Sequence, residues 1–441
     1  MTRAYIPMTA ADREAMLATI GVTSAEELFA DIPPAARNAA LDALPPPLAE
    51  LELARELQSL AEENIPTDQL AFFRGGGAYQ RFTPAVVDEI IRRGEFLTSY
   101  TPYQAEASQG TLQVAFEFQS MICGLYGMEV ANAGLYDGAS ALAEASLMAC
   151  RVTGRHRIAL AGTLNPQDRR VIETYTRAHG VSIDSVAPEA PAITSEHACF
   201  VLQSPDYYGR VSLIDESPAK LCHEAGALLV VSADPMSAAL FRPPGELGAD
   251  IVTGEGQSLG MPLNFGGPYL GLFATRMQHV RQMPGRVVGQ TVDVEGKRAF
   301  VLTLQAREQH IRRERASSNI CTNEQLVALA VTVYLSCLGR HGLQKVARLC
   351  YDKAHYAAAA VSALPGWSLV FPDAPFFQEF AVRCPVPVAR VDAQLRERGI
   401  VGGLDVSADG EPRILFCVTE TNTRAEIDRL VAALAAMGDK R

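Results

Sequence analysis

Six short apolar runs separated by helical segments occupy the middle of the chain and constrain its fold more than any other feature. The runs lie at 158–161, 181–183, 199–202, 227–231, 251–252 and 269–273. A helical connection returns the chain to the same edge of a sheet, so this alternation predicts a mostly parallel sheet covered by helices on both faces. We therefore expect an α/β fold.

Two further regions flank the predicted sheet. Residues 1–65 are rich in Ala, Leu, Glu and Pro and predict a helical arm too small for a core of its own. A long helical stretch follows Cys321, with a break near Gly339 and Gly342, and a smaller β/α region comes after it. We therefore predict three parts: an arm at 1–65, a large domain at 66–325, and a linking helix with a small C-terminal α/β domain at 326–441.

Composition and charge argue against several classes of function. The 441 residues include 50 acidic and 39 basic side chains, and the net charge of −11 disfavours nucleic acid as a partner. The longest uncharged apolar run, 326–338, is too short to span a bilayer and fits a buried core helix, and no secretory signal is evident. Nine cysteines without a CxxC pair and eight histidines without HExxH disfavour a metal site. We expect a cytoplasmic protein with reduced thiols and no membrane partner.

Small polar turns follow several of the strands, where sheets of this type bind their ligands. Ser140 lies in the first turn of a helix whose free backbone N–H groups can bind an anion, although an N-cap at Asp137 explains the same pattern equally well. Asp234 follows the strand at 227–231 and can pair with a protonated ring nitrogen. A simple cap of the turn before Pro235 is the favoured alternative.

The turn after the strand at 251–252 lacks the residue that completes such a site. The order of these turns is that of a pyridoxal phosphate enzyme of fold type I, which holds its cofactor through a Schiff base to a lysine at this point. Gln257 and Ser258 occupy the turn here, and neither side chain can form an imine. The glycines around them match neither the dinucleotide fingerprint nor a P-loop. The five lysines lie elsewhere, at Lys220, Lys297, Lys345, Lys353 and Lys440.

Two other motifs are candidates for binding polar ligands. The first, YTPYQ at 100–104, presents two phenols and an amide from a turn stiffened by proline, which suits orientation of a small polar substrate. Its alternative is a surface turn whose tyrosines only pack. The second, at 307–315, contains four arginines that suit carboxylate or phosphate. Its alternative is a solvated helix neutralised by Glu308 and Glu314, with His310 in a structural role.

Three phrases give the chain a specific likeness: TPYQAEASQG, PGRVVG and REQHIRRERASSNICT. In these phrases, and from the arm to the C-terminal domain, the chain resembles the P-protein of the glycine cleavage system, glycine decarboxylase, and in particular its separate N-terminal, or alpha, subunit. Single-chain members of that family contain two homologous halves, of which only the second carries the cofactor lysine. The chain resembles the other half.

The resemblance implies a fold of type I, with a mostly parallel, seven-stranded type of sheet, and a heteromeric enzyme. Pyridoxal phosphate would be held covalently by a lysine-bearing beta subunit, in an assembly that we expect to be α2β2. The enzyme would decarboxylate glycine and transfer the aminomethyl group to the lipoyl arm of the H-protein. The chain alone would be inactive. A non-catalytic scaffold or a glycine-sensing regulator is the alternative, while the missing fingerprints disfavour an independent nucleotide-binding protein.

The resemblance also implies roles for individual residues. Four would border the partner's cofactor and the glycine carboxylate: Tyr100, Thr101, Tyr103 and Gln104. Three would approach the phosphate of that cofactor: Ser318, Asn319 and Thr322. Four would be relics of a cofactor site in this chain: Ser140, Asp234, Gln257 and Ser258.

Overall fold

The computed structural model describes residues 7–37 and 44–438. Lys440 therefore lies outside the described residues. The chain divides into two compact units, Met1–Ile65 and Pro66–Arg441. The division of the second unit at residue 325 stays a prediction.

The first unit is helical in its described residues. Helix α1 spans Ala10–Ile20 and α2 spans Glu50–Glu62, with 3-10 turns at Ala25–Phe29 and Pro34–Ala36. Thr9 and Asp12 form a capping box, in which Asp12 N donates to Thr9 Oγ1 at 3.2 Å and Thr9 N to Asp12 Oδ2 at 2.8 Å. No residue of α1 or α2 is buried.

Helices and strands alternate through the second unit. Its helices are α3 (Ala85–Ile91), α4 (Gln109–Tyr126), α5 (Gly138–Thr153), α6 (Pro166–Arg177), α7 (Ser217–Glu224), α8 (Gln309–Arg312), α9 (Gln325–Ser362), α10 (Val388–Arg396) and α11 (Arg424–Gly438). Its strands are β1 (Ala71–Phe72), β2 (Val130–Ala131), β3 (Arg157–Ala161), β4 (Ser182–Val186), β5 (Cys199–Ser204), β6 (Leu228–Ala233), β7 (Ile251–Glu255), β8 (Gly271–Thr275), β9 (Val287–Val292), β10 (Arg298–Thr303), β11 (Ser368–Leu369), β12 (Glu379–Arg383), β13 (Ile400–Val401), β14 (Leu404–Asp405) and β15 (Arg413–Cys417).

The large sheet has seven strands in the order β2-β8-β7-β6-β5-β3-β4. The five strands from β3 to β7 are all parallel to one another. Strand β8 is antiparallel to both of its neighbours, β7 and β2. The predicted mostly parallel α/β sheet is confirmed. Strand β8 begins two residues later than the sequence predicted, because Leu270 belongs to the preceding turn, where its N donates to Glu255 Oε1 at 3.0 Å.

Both faces of the large sheet are buried, which explains why its strands are apolar throughout. In β5, Phe200 and Leu202 pack into a core that includes α4 and α9 residues. Val201 between them faces the opposite core, which includes residues of α5. Successive side chains of a strand point to opposite faces, so one apolar run supplies two cores.

Helix α9 carries the apolar run that the sequence assigned to a buried core helix. Val327, Ala330 and Tyr334 are buried in the same core as the sheet, which confirms that assignment. Among the described residues, α9 is also the one helix that is long and apolar enough to cross a membrane. Buried core helices often have the same length and composition. Gly339 interrupts it with φ 58° and ψ −178°, where a break was predicted.

The rest of the unit forms smaller sheets. Strands β11, β12, β15 and β14 make an antiparallel sheet, which packs with α10 and α11 around a second core. Strands β9 and β10 form an antiparallel hairpin that the sequence reading did not predict. The carboxyl ends of β5, β6 and β7 are left open toward this small sheet, and a cleft lies there.

Candidate active site

A cleft of about 580 Å³ lies at the carboxyl ends of β5, β6 and β7 and at the first turn of α5. We call it the sheet-edge cleft; its polar lining includes Tyr79, Asp137, Gln203, Asp234, Glu255 and Glu379. This is the position at which parallel sheets of this class bind ligands. Of the predicted relic cofactor residues, Asp234 lines the cleft. The other three each lie within three positions of a lining residue: Ser140, Gln257 and Ser258.

The first turn of α5 is capped by this chain's own carboxylates. Ser140 N donates to Asp137 Oδ1 at 2.7 Å, and Gly138 N donates to Glu255 Oε2 at 2.9 Å. The Ser140 hydroxyl donates to Asp137 O at 3.0 Å. The N-cap interpretation is therefore the one that the structure shows. An incoming phosphate would find these N–H groups already bonded and two carboxylates beside them.

Asp234, at the end of β6, caps the following turn. Its Oδ1 accepts from Ser237 N at 2.8 Å, and its Oδ2 accepts from Gln378 Nε2 at 3.0 Å. Burial raises the pKa of Asp234, and the cation of Arg81 opposes that shift. The cap, which the sequence favoured over a ring-nitrogen partner, is present, and both carboxylate oxygens are already bonded.

Gln257 is fully buried and is bonded to Tyr79, a residue that lines the cleft. Its Nε2 donates to Tyr79 O at 2.9 Å and to Met261 O at 2.8 Å, while its Oε1 accepts from Tyr79 N at 2.8 Å. Ser258 is buried beside it, and its Oγ has no partner among the described residues. An amide whose oxygen and nitrogen are both bonded to backbone has a structural role, because it holds separate segments of the chain together.

The sheet-edge cleft is strongly acidic. Burial raises the pKa of Glu255 and of Glu379 to about 7, and burial together with Asp137 raises that of Asp168 to about 6. Among the described residues that line the cleft, none is a lysine, arginine or histidine. Without an amine, and with acids at its anion-binding turn, the cleft does not fit pyridoxal phosphate.

A second polar site lies around Tyr103, where we define the phenol cluster as Thr101, Tyr103, Arg286, His310 and Thr322. Arg286 Nη2 donates to the Tyr103 hydroxyl at 2.7 Å, and the guanidinium lies 5.3 Å from the ring centroid. The His310 ring lies edge-on to Tyr103 at 5.2 Å between centroids. Thr101 Oγ1 and Thr322 Oγ1 are 3.2 Å apart. Residues of all three quoted phrases, which are distant in sequence, thus come together around one phenol.

A buried ion pair supports the phenol cluster. Arg286 is 2% exposed and pairs with Glu308, which is 5% exposed and precedes α8. Next to it, Arg307 donates to Gly285 O at 2.8 Å and to Met283 O, so it fixes the turn that carries Arg286. Burial, together with the cation of Arg286, lowers the pKa of Arg307 to about 10. Arg307 is therefore a structural residue of the arginine run.

The other predicted residues lie next to the phenol cluster, in a separate cavity, or at the surface. Tyr100 is 67% exposed and lies edge-on to Tyr103 at 5.9 Å, and Gln104 is exposed next to it. Ser318 and Asn319 instead line a separate cavity of about 350 Å³ beside α5. The remaining arginines of the run are exposed: Arg312, Arg313 and Arg315.

Arg286 and Cys321 were not predicted as site residues, although both lie in the quoted phrases. Cys321 Sγ is 3.9 Å from the Tyr103 hydroxyl. The available signal was a single arginine set between the glycines of PGRVVG at the start of a strand. Only the fold shows that this arginine points at a tyrosine 183 positions earlier.

Comparison with known proteins decides the family. A family model for the glycine cleavage system P-protein matches residues 3–434. The chain belongs to the glycine cleavage system P-protein family. A relative from Thermomicrobium roseum, named probable glycine dehydrogenase (decarboxylating) subunit 1, is 54% identical over 98% of both chains. A protein of the same name from Desulfitobacterium hafniense is 49% identical over 98% of this chain and 99% of its own length.

Solved structures give the same family and the fold. A crystal structure of glycine decarboxylase (P-protein) of the glycine cleavage system, in inhibitor-bound form, matches with a TM-score of 0.90 and 43% identity over 98% of this chain and 99% of that one. The sphingosine-1-phosphate lyase of Burkholderia pseudomallei matches with a TM-score of 0.64 at 17% identity, covering 92% of this chain and 94% of that one. The P-protein chain thus has the type I fold of pyridoxal phosphate enzymes, as the sequence predicted.

Proposed function

We propose that the chain is subunit 1, or alpha, of a heteromeric glycine dehydrogenase (decarboxylating), and that a beta subunit holds the pyridoxal phosphate. One observation carries the proposal: at the point where this fold places its cofactor lysine, the chain has a buried Gln257 with both ends of its amide bonded. The acids of the sheet-edge cleft support the proposal, because the Glu255 carboxylate already accepts the hydrogen bond of the first N–H of α5, which a phosphate would otherwise use. Ser140, Asp234, Gln257 and Ser258 are then relics kept for structure.

In this proposal the phenol cluster is this chain's contribution to a shared active site. The oxygen of Tyr103 accepts a hydrogen bond from Arg286, and its own O–H proton has only the weak acceptor Cys321 Sγ at 3.9 Å, which a carboxylate would replace. The phenol is 36% exposed, and the ion pair of Arg286 with Glu308 holds it in place. A fixed phenol donor suits a carboxylate such as that of glycine, because charge-assisted hydrogen bonds are strong and short.

Pyridoxal phosphate, when bound to the beta subunit, would supply the electron sink for loss of carbon dioxide from glycine. The aminomethyl group would then pass to the lipoyl arm of the H-protein. Tyr100, Thr101 and Gln104 would border the glycine, and Thr322 would approach the phosphate from the phenol cluster. Ser318 and Asn319 remain predicted phosphate neighbours, although here they line a cavity of this chain. An α2β2 assembly is part of the proposal.

The first test of this proposal is glycine-dependent exchange of labelled bicarbonate. It is measured with pyridoxal phosphate and lipoylated H-protein, for the chain alone and after mixing with its lysine-bearing partner. We expect exchange in the mixture and none with the chain alone. Exchange by the chain alone would show that it binds the cofactor without a lysine at position 257. Exchange by the partner alone at the full rate would favour a scaffold or a glycine-sensing regulator.

Tyr103→Phe tests the phenol directly. Loss of one hydrogen bond to a charged group is worth about 1.5–3 kcal/mol, so kcat/KM for glycine in the assembled enzyme should fall about 10- to 100-fold. Tyr356→Phe is the matched control, because Tyr356 is also a partly exposed phenol, bonded to Asp428 at 2.6 Å outside the site. A scaffold would tolerate both changes, so equal activity of the two variants would contradict the proposed role.

A further inference from the structure

A cavity of about 350 Å³ beside α5 carries a pair of charged groups that neither site described above uses. We call it the α5–α6 cavity; its lining includes Glu144, Leu147, Arg151, Tyr175, His179 and Asn319. Its volume lies within the usual range of small-molecule sites. It is separate from the phenol cluster, since neither Tyr103 nor Arg286 lines it.

Glu144 is the unusual residue of this cavity. It is 5% exposed, and its Oε2 is buried without a hydrogen-bond donor among the described residues. A buried carboxylate oxygen without a partner is costly and normally binds a donor. Burial raises the pKa of Glu144, with the Ser318 hydroxyl and the Arg151 cation opposing the shift. Glu144 lines the cavity, so a cationic donor placed there would pair with its carboxylate and offset the cost of burying that charge.

Arg151 presents the complementary requirement. Its Nε–H is buried without an acceptor among the described residues, while its Nη2 donates to Gln282 O at 3.2 Å. Burial lowers the pKa of Arg151, and the charge of Glu144 opposes that effect. Arg151 lines the cavity, so a carboxylate placed there would accept hydrogen bonds from its guanidinium. Arg151 itself does not reach Glu144 Oε2, because that oxygen has no partner.

The spacing of the two residues restricts the ligand. They are seven positions apart on α5, so about 10 Å of helix axis separates their Cα atoms, and both lie on one face. Leu147 lies between them on that face and is buried. The charges of an α-amino acid are too close together to reach both groups, whereas an alkyl chain between the two ligand charges would pack against Leu147.

We propose that the α5–α6 cavity binds a linear zwitterion of the ω-amino acid class, with its ammonium at Glu144 and its carboxylate at Arg151. A divalent cation is disfavoured, because only one buried carboxylate faces the cavity and Arg151 would repel the metal. A phosphate ester is disfavoured by the same carboxylate. The proposal does not rest on the proposed function, since neither charged residue belongs to the phenol cluster or the sheet-edge cleft. The two proposals share only Ser318 and Asn319, which line the cavity.

The test is calorimetric titration of the full chain with a series of zwitterions: glycine, β-alanine, γ-aminobutyrate and ε-aminocaproate. Butylamine and butyrate serve as probes that carry only one of the two charges. We expect saturable binding that is tightest for one of the two longer zwitterions and at least about tenfold tighter than for glycine or for either single-charge probe. No saturable binding by any zwitterion, or butylamine binding as tightly as the zwitterions, would overturn the proposal.

Variants connect the binding to the cavity. Glu144→Gln and Arg151→Gln should each weaken binding of the preferred zwitterion at least about tenfold, because each removes one charge-assisted hydrogen bond. Glu173→Gln on α6 is the matched control, since Glu173 pairs with Arg169 at 2.9 Å and does not line the cavity. Unchanged affinity in both cavity variants would overturn the site. If one variant does not fold, the other decides, and ligand-induced stabilisation of the wild-type chain against heat is an independent measure.

Discussion

Arg286 and Glu308 show how single residues position the phenol cluster. Both side chains are nearly inaccessible, and they are paired with each other. Removing a carboxylate and a guanidinium from water is costly, so such a pair is retained only where its geometry matters. Here the geometry fixes the donor to Tyr103, at 2.7 Å. We interpret the pair as a positioning device rather than a source of net stability.

Breaking this pair at one partner should be strongly destabilising. Glu308→Gln leaves the Arg286 cation buried without its counter-charge, and we expect a loss of about 3–5 kcal/mol in the free energy of unfolding. Urea denaturation of the full chain measures it. Asp88→Asn is the control, because Asp88 and Arg92 form an ion pair at 2.9 Å with side chains 59% and 75% exposed. That change should cost less than about 1 kcal/mol; similar losses in both variants would contradict the interpretation.

At the scale of elements, α9 depends on one backbone conformation. Its first turns lie in the core of the large sheet, and its later residues, such as Ala354 and Val361, lie in the core of the small sheet. The break at Gly339, with φ 58° and ψ −178°, lies within the part that packs on the large sheet, since Leu343 and Cys350 beyond it belong to the same core. Residues with a Cβ atom rarely adopt that conformation, so the break depends on the absence of a Cβ atom in glycine.

Two glycine substitutions test the role of Gly339, and their expected effects on stability have opposite signs. Gly339→Ala should destabilise the chain by about 1–3 kcal/mol, from backbone strain alone, because no atom lies within 4 Å of the added Cβ. Gly124→Ala on α4 also has no atom within 4 Å, but has ordinary helical backbone, and should stabilise by about 0.5–1 kcal/mol. Thermal and urea unfolding measure both. A neutral Gly339→Ala would show that α9 can run straight.

At the scale of the whole second unit, hydrogen bonds of buried charges join the small sheet to the cleft. Glu379 of β12 accepts from Gly76 N at 2.6 Å and from the Tyr79 hydroxyl at 2.9 Å. Arg81 pairs with Glu420 at 2.7 Å and donates to Gln378, which in turn bonds Asp234. The walls of the sheet-edge cleft are therefore held together by groups that titrate.

This arrangement predicts a pH dependence of stability. Burial raises the pKa of Glu379 from 4.5 to about 7, so between these values the folded chain binds more protons at this site than the unfolded chain. The stability contributed by Glu379 is fully present below about pH 4.5 and is lost as the pH rises through about 7. Glu379→Gln should remove this dependence, so its stability relative to wild type should rise by about 1–3 kcal/mol across that window.

Urea denaturation at a series of pH values measures this change. Glu411→Gln is the matched control, because hydrogen bonds and ion pairs with Arg413 and Arg383 lower the pKa of the half-buried Glu411. Its contribution is present above the unfolded pKa and is lost as the pH falls, so that variant should lose stability relative to wild type as the pH rises. The same trend in both variants would contradict the assignment of Glu379.

Much of the fold followed from local pattern. The strands at 158–161 and 199–202 became β3 and β5 nearly unchanged, because a strand buried on both faces must be apolar throughout. The break at Gly339 was also readable, since it depends on a few adjacent residues. The hairpin of β9 and β10 was missed, because its strands mix polar and apolar residues and their pairing depends on contacts with α4.

The candidate site was only partly predictable. The sequence by itself determined that no lysine occupies the cofactor turn, because residue type alone decides which side chain can form a Schiff base. It also determined the family, through phrases of adjacent residues. Only the tertiary structure decided that Glu255 caps α5, that Gln257 binds the backbone of Tyr79, and that Arg286 holds Tyr103. The physical reason is distance along the chain: each of these contacts joins residues more than a hundred positions apart, so no local pattern encodes it.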